Sequence, residues 1–497
     1  MKKLSIACFV LLFTLLLACS PKQEAQENEP PPSPNLVLII ADDMGWNDAG
    51  AYGHPHIKTP HLDQLAREGM RFDNAFLTTS SCSPSRSSII TGRYPHNTDA
   101  EQLHWPLPAA QVTFVEKLKE AGYYTAAAGK WHLGDAVKDR FDLIVGGDPA
   151  ALPLYGETEK MEGEDDGSGC AAWIPVLQQR PEDRPFFLWL AAIDPHRDYK
   201  EGIIPEPHQP EDAVVPPYLP DTPEVREDLA LYYDEISRMD SYIGQVMEEL
   251  EKQGVAENTM VLFISDNGRP FPRAKTTLHD SGIKTPWIVR WPAQVEAGAT
   301  SNQLVSSVDI ATTMLGLAGV SAGSTFEGKD FSPLLSDPTQ QIREYVYAEA
   351  HWHDYEKLTR AVRSPHFKYI RNFLPEYAKT PPADAVGSPT FQTMRQLRDA
   401  GELTEAQRVV FNKPSPEEEL YDTEADPFEL KNLADDPDYT GQLEQLRQEL
   451  ISFQERTGDS LPSFRTPDEF DREEGTRLPN WKMPRTSKEE FMSGSGE

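Results

Sequence analysis

Six short stretches of this chain carry side chains suited to chemistry on an oxyanion. Asp42-Asp43 and Asp266-Asn267 each end an apolar run of strand type. Hard oxygen donors from two such ends, without a His or Cys cluster, suit calcium, and magnesium less well, rather than zinc. Adjacent acids repel one another unless a cation lies between them; a solvated turn is the competing account of the dipeptide. Cys82 and Arg86 stand four apart in 81–93, whose small polar first half and apolar second half, closed by Thr91-Gly92, predict a short helix. Pro84 suits its first turn, and Ser81 or Ser83 can cap the amides there. A helix N-terminus with a guanidinium one turn further on makes a site for a tetrahedral oxyanion. Taken alone, the same spacing describes a buried cysteine in a helix that carries an arginine. Lys130 and His132, two apart on an extended segment, project to one side and can bind one anion. Lys275 follows Asp266-Asn267 closely enough to reach the same anion. His196, after the apolar run 185–193, can protonate a leaving group because its ordinary pKa lies near neutrality. A surface lysine beside a satisfied histidine, and a capping histidine, are the plainer readings of these last residues.

Four continuous apolar runs, 35–41, 123–128, 186–193 and 259–265, position these groups. Such runs read as parallel strands buried on both faces, and open α/β sheets place their sites at the carboxyl ends. Helices are expected from Thr59-Pro60, with Thr59 as the cap, over 113–122, and from Thr222-Pro223 onward. In the last, Val225, Leu229, Tyr232, Ile236, Met239 and Ile243 recur at spacings of three and four, a core stripe with no catalytic part. A further strand is expected over 285–291 and a helix after 307. From 328 the apolar runs shorten, with strands at 367–371 and 419–422 and a helix over 441–453. His351, Trp352, His353, Arg360, Arg363 and Arg371 are basic and aromatic enough to line a sugar pocket, solvated surface being the alternative.

The chain has 497 residues and a net charge of −33, from 47 Lys and Arg against 80 Asp and Glu, which excludes nucleic acid as a partner. Charges beyond about 10 Å are screened at ordinary salt, so a locally basic pocket still binds an anion. Met1-Lys2-Lys3, the apolar run 4–17 and Leu16-Leu17-Ala18-Cys19 read as a bacterial lipoprotein signal, with Cys19 the lipidated first residue. The Pro-rich 24–34 is a stiff tether. The expected location is the periplasm or cell surface, anchored to a bacterial membrane through Cys19. Cys8 leaves with the signal, so Cys82 and Cys170 remain. In an exported protein such a pair suggests a disulfide, which competes with any catalytic role of Cys82; otherwise Cys170 is a free thiol in a Gly/Asp-rich loop.

Cys82-Ser83-Pro84-Ser85-Arg86, followed by Thr91-Gly92-Arg93, resembles the signature of type I sulfatases, in which the cysteine is oxidised to formylglycine. Gly129-Lys130-Trp131-His132 is similar to the family's sulfate-holding segment. The resemblance covers the chain after Pro34. It is nearest to the sulfamidases (heparan N-sulfatases) through 80–87, Asp194-Pro195-His196-Arg197, Pro270-Phe271-Pro272 and 388–392. It departs at Lys275, where sulfamidases carry arginine and many sulfatases lysine.

This resemblance implies an α/β alkaline-phosphatase/sulfatase-like fold: a large, mostly parallel sheet flanked by helices, with a smaller antiparallel C-terminal subdomain. The expected division is signal 1–18, tether 19–34, catalytic domain 35–327, subdomain 328–468 and a mobile tail 469–497. Cys82 becomes the precursor of a hydrated aldehyde, made by a formylglycine-generating enzyme or anaerobic maturase. Asp42, Asp43, Asp266, Asn267 and residue 82 hold calcium. The hydrate attacks sulfur in line while Arg86, Lys130 and Lys275 offset charge on the sulfuryl oxygens. His196 protonates the leaving atom, and His132 assists release of sulfate. The implied substrate is a sulfated oligosaccharide, either glucosamine N-sulfate or a sugar O-sulfate of an algal glycan such as ulvan. A phosphatase or phosphodiesterase of the same superfamily, and a non-catalytic glycan-binding lipoprotein, are the alternatives.

Overall fold

Asn35–Ala41 runs through the middle of a nine-stranded sheet, every one of its residues buried. The computed structural model describes residues 33–146, 159–160, 166–479 and 488–489; the expected signal, Cys19 and most of the tether lie outside the described residues. Thr259–Ser265 and Phe186–Ala191 flank the central strand, and both pair with it in parallel. Tyr124–Gly129, Leu143–Gly146 and Glu159–Lys160 continue the parallel run on one side. On the other side Trp287–Arg290 is antiparallel to both its neighbours, Thr259–Ser265 and Met70–Phe72, and Ala299–Ser301 closes the edge. Val, Ile, Leu and Phe fill both faces of the middle strands because helices cover both, as a parallel sheet requires.

Val346–Ala350, Thr359–Arg363, Phe367–Asn372 and Glu418–Asp422 form a separate four-stranded antiparallel sheet in sequence order. The helix Thr440–Thr457 packs its Leu443, Leu446, Leu450 and Phe453 against this sheet. Residues 469–479, the described start of the tail expected to be mobile, make contacts with the body. Glu469 is buried and its N–H donates to Asp354 O at 2.9 Å, and Phe470 pairs with Arg477. Among the described residues no helix is long and apolar enough to cross a membrane.

The helix Pro223–Lys252 has the expected apolar stripe, capped by Thr222, yet it also buries Asp228, Asp234, Glu235, Arg238 and Asp240. These polar groups brace the chain around the strand ends. Arg238 grips the Asp194 carboxylate through two nitrogens at 2.8 and 2.5 Å, and Asp228 accepts two hydrogen bonds from Arg197, both at 2.7 Å. Asp240 accepts the N–H groups of His61 and Leu62 at 3.1 and 2.7 Å and so caps the helix Pro60–Glu68 from outside. Thr59, expected to cap that helix, instead accepts from Gly50 N–H and donates to Asp63.

Candidate active site

Asp42 and Asp43 follow directly on Ala41, and Asp266 and Asn267 follow directly on Ser265, in the neighbouring strand. All four side chains are fully buried. The Asp43 N–H donates to Asp266 Oδ1 at 3.2 Å, with Asp43 at φ 73°. Asn267 Nδ2 donates to Asp43 Oδ1 at 3.0 Å, to Asp266 Oδ1 at 2.9 Å and to Cys82 Sγ at 3.3 Å. Asn267 Oδ1 is buried with no hydrogen bond at all.

Cys82 opens the buried helix Cys82–Thr91, which ends at Gly92 in the left-handed conformation, φ 59°. Its Sγ lies 3.7 Å from Asp42 Oδ1 and 3.9 Å from Asp43 Oδ1. Burial, reinforced by the two carboxylates and only partly offset by Lys130 and Lys275, pushes the thiol well above its ordinary pKa. Cys82 and Cys170 are each buried and unbridged, which removes the disulfide alternative. Ser81 and Ser83, expected to cap the helix, are engaged elsewhere: Ser81 Oγ meets His353 Nδ1 at 2.8 Å, and Ser83 Oγ accepts the His104 N–H at 2.7 Å.

Cationic groups close the site. Arg86 donates through Nε to Asp266 Oδ2 at 2.7 Å and through Nη1 to Lys130 O at 3.0 Å; its buried Nη2 makes no hydrogen bond. Lys130 Nζ pairs with Asp42 Oδ2, and Lys275 Nζ with Asp43 Oδ2 at 2.5 Å. Lys130 is delivered by Gly129, at φ 91° and so tight on the next strand that a Cβ there would stand 1.8 Å from Ala191 O. Only glycine fits that position. His132, at φ 53°, contacts His104 Nδ1 through Nε2 at 2.8 Å, and burial with the neighbouring His104 and Lys130 holds its pKa well below the ordinary value. His196 Nε2 lies 3.8 Å from Asp43 Oδ2 and 3.7 Å from Asp384 Oδ2.

Every sequence-predicted residue from Asp42 to Lys275 therefore lies at or beside the carboxyl ends of the central strands, in mutual contact or one residue removed. Burial pushes the Asp266 carboxyl up to about 7, with Asp42 and Asp43 adding to the effect against Arg86 and Lys130. Lys130, His196, Arg86 and Lys275 overcome the same burial at Asp42 and hold it far below the usual carboxylate range. The ligand atoms of Asp42, Asp43 and Cys82 are within 4.8 Å of one another. Three crowded buried carboxylates and an amide oxygen with no donor facing it make a donor set that a hard divalent cation fits.

The six residues expected to line a sugar pocket divide: Trp352 packs in a buried cluster with Cys82 and Leu103, and Arg371 is partly exposed beside Glu417 and Glu418. His353 belongs to the site, through Ser81 and beside Lys275 and His104. Arg360 does not: it is 1% exposed and donates to both Asp459 oxygens at 2.6 and 2.7 Å. His351 is buried on Glu349 at 2.8 Å, and Arg363 on Asp280 at 3.3 Å. These three fall on or beside strands whose inward faces carry ion pairs in place of apolar residues, so their polarity reads falsely as surface. Two members were missed. His104 lies in an irregular loop at φ 68°, and Asp384 lies in the first turn of the short helix Ala383–Val386; neither follows a strand-type run or a motif that would mark it.

A Sulfatase family model matches residues 34–320, and a model described as N-sulphoglucosamine sulphohydrolase, C-terminal, matches 273–378. An ulvan-active sulfatase of Formosa agariphila is 32% identical over 90% of this chain and 81% of its own length. The human N-sulphoglucosamine sulphohydrolase is 31% identical over 86% of this chain and 90% of its own. A solved complex with D-glucosamine-2-N,6-O-disulfate, described as its substrate, superposes with a TM-score of 0.64 at 21% identity over 88% of this chain and 100% of that one, a likeness of fold. With the family model spanning more than half of its length, this chain belongs to the sulfatase family.

Proposed function

We propose that the protein removes sulfate from sulfated polysaccharide fragments through a formylglycine derived from Cys82, either a sugar O-sulfate of an algal glycan such as ulvan or glucosamine N-sulfate. The observation that carries the reading is the position of Cys82: at a buried helix start, against Asp42, Asp43 and Asn267, with Arg86, Lys130 and Lys275 converging from other elements. The curated relatives act on ulvan and on N-sulphoglucosamine by name, and this supports both substrate classes.

Asp42, Asp43, Asp266, Asn267 and residue 82 would hold calcium, which supplies positive charge that polarises the sulfate and favours an ionised hydroxyl nucleophile. Residue 82, as the hydrated aldehyde, supplies that hydroxyl. Arg86 Nη2, Lys130 Nζ and Lys275 Nζ bind and orient the sulfuryl oxygens, and their burial strengthens each charge-assisted hydrogen bond. His196 Nε2 carries the proton for the leaving atom; its partial exposure, 26%, against the buried Lys130 and Lys275, supports that role. His132, held by His104, takes a proton released at residue 82. Maturation needs a formylglycine-generating or anaerobic maturase enzyme. The basic-apolar start of the chain and Cys19 support a membrane-anchored bacterial lipoprotein.

The test is the mass of the peptide containing residue 82 from protein made with such an enzyme, together with sulfate release. An aldehyde in place of the thiol, with release of sulfate, is expected. A retained thiol in protein that binds sulfated glycan without releasing sulfate would favour a glycan-capturing protein instead.

A further inference from the structure

Asp384 is used by none of the roles above, yet it shares the mouth of the site with the acid. Its Oδ2 lies 3.7 Å from His196 Nε2 and 3.8 Å from Lys275 Nζ, with 24% of its side chain exposed. The carboxylate is held in place: its Oδ1 accepts the Ala385 N–H at 2.6 Å, and the preceding Ala383 N–H is taken by Asp354 at 2.8 Å. Lys275, His196 and Arg197 outweigh its burial and keep it ionised.

A fixed negative charge beside the general acid has opposite consequences for two kinds of leaving group. An ester oxygen departs with developing negative charge, which a neighbouring carboxylate opposes. A sulfamate nitrogen departs as an amine that ends protonated. In the net reaction R–NH–SO3⁻ + H2O → R–NH3⁺ + SO4²⁻, the S–N bond breaks with its electron pair passing to nitrogen. The water oxygen ends on sulfur and both water hydrogens end on nitrogen. His196 delivers one of those protons, and the product is a cation that requires an anionic partner; Asp43, 3.8 Å from His196 Nε2, is fully buried and paired with Lys275, which leaves the partly exposed Asp384 for that role.

Resting on the sulfatase reading, we propose that Asp384 is a specificity-determining residue that accepts the N–H of the departing amine, so that the substrate class is a sugar sulfamate rather than a sulfate ester. Losing a charge-assisted hydrogen bond to a ligand costs roughly a factor of 10 to 100.

The experiment compares matured wild type with Asp384→Asn on glucosamine N-sulfate and on 4-methylumbelliferyl sulfate, reading kcat/KM for each. The expected loss on the sulfamate exceeds that on the ester by about thirtyfold, and Asp384→Glu recovers part of it. Inhibition of ester cleavage by the product, taken as a ratio of two inhibition constants, gives a second readout that a partly folded sample does not shift: Asp384→Asn should weaken inhibition by glucosamine at least tenfold relative to inhibition by N-acetylglucosamine. Parallel losses on both substrates, or unchanged glucosamine inhibition, would overturn the assignment. A wild type that cleaves esters but no sulfamate would overturn it while leaving the sulfatase reading intact; a wild type that cleaves neither would sink both.

Discussion

Replacing Arg360 with alanine separates a substrate-binding arginine from a structural one. Its guanidinium donates to Asp459 at 2.6 and 2.7 Å and lies 3.4 Å from Glu349 Oε2, with 1% of the residue exposed. Asp459 follows directly on Gly458, the C-cap of the helix Thr440–Thr457, so this fork ties that helix end to the middle of the four-stranded sheet. Removal leaves two buried carboxylates near each other, Glu349 with His96 and His351 and Asp459 with Gln454 Nε2 at 3.2 Å, and no guanidinium between them. Breaking a buried pair from one side costs about 3–5 kcal/mol, because the surviving charge stays desolvated. Arg360→Ala should therefore lower the unfolding free energy by that amount, read as a lower urea midpoint at an unchanged slope, while KM for sulfated substrate moves less than about twofold. Arg360→Met combined with Asp459→Leu should recover most of the loss, since an apolar pair of similar volume replaces the ions. A stable Arg360→Ala protein whose KM rises tenfold would refute the argument and return Arg360 to the sugar pocket.

Gly129→Ala should abolish accumulation of folded protein, as its Cβ would stand 1.8 Å from Ala191 O and break the junction that delivers Lys130; soluble yield and near-UV dichroism read this. Asp240, pushed up to about 7 mainly by burial, binds protons in the folded state that the unfolded chain has released by then. Its contribution is thus fully present below about pH 4 and is lost as pH rises through 7, by at most roughly 4 kcal/mol. Asp240→Asn should flatten that slope in urea titrations at pH 5 and pH 8, and an unchanged slope would count against the burial argument. Chelation should remove sulfatase activity, with calcium restoring it better than magnesium; activity that survives exhaustive chelation would contradict the donor set at Asp42, Asp43, Asp266 and Asn267.

The inner site was legible because its residues announce themselves locally. Asp42, Asp43, Asp266 and Asn267 end apolar runs, and a parallel sheet brings such ends together whatever lies between them in sequence. Cys82 and Arg86 are one helical turn apart. His351, Arg360 and Arg363 misled for a related reason: polarity normally marks surface, and only the register of Val346–Ala350 against Thr359–Arg363, with the helix ending before Asp459, turns these residues inward onto carboxylates. Asp384 was invisible because nothing in 380–387 forms a regular element long enough to predict; its place is fixed by tertiary contacts through Asp354 and the segment that follows. The caps failed similarly: Thr59 and Ser81 stand at the N-cap positions and Ser83 one residue inside its helix, but Gly50 and Asp63, His353 and His104 engage these hydroxyls in place of the helix amides.

The site is assembled from two parts of the chain with different architecture. Asp42, Asp43, Cys82, Arg86, Lys130, His132, His196, Asp266, Asn267 and Lys275 come from strand ends, the segments that follow them and the signature helix before residue 285, whereas His353 and Asp384, which meet Ser81, His196 and Lys275, arrive from beyond residue 350. Reaction type and substrate choice can therefore change independently. Exchanging the late loops alters which sugar is presented without disturbing the attack geometry, and a recombinant that joins residues 33–340 of this chain to the late third of another member of the family should keep this chemistry while adopting the donor's preference.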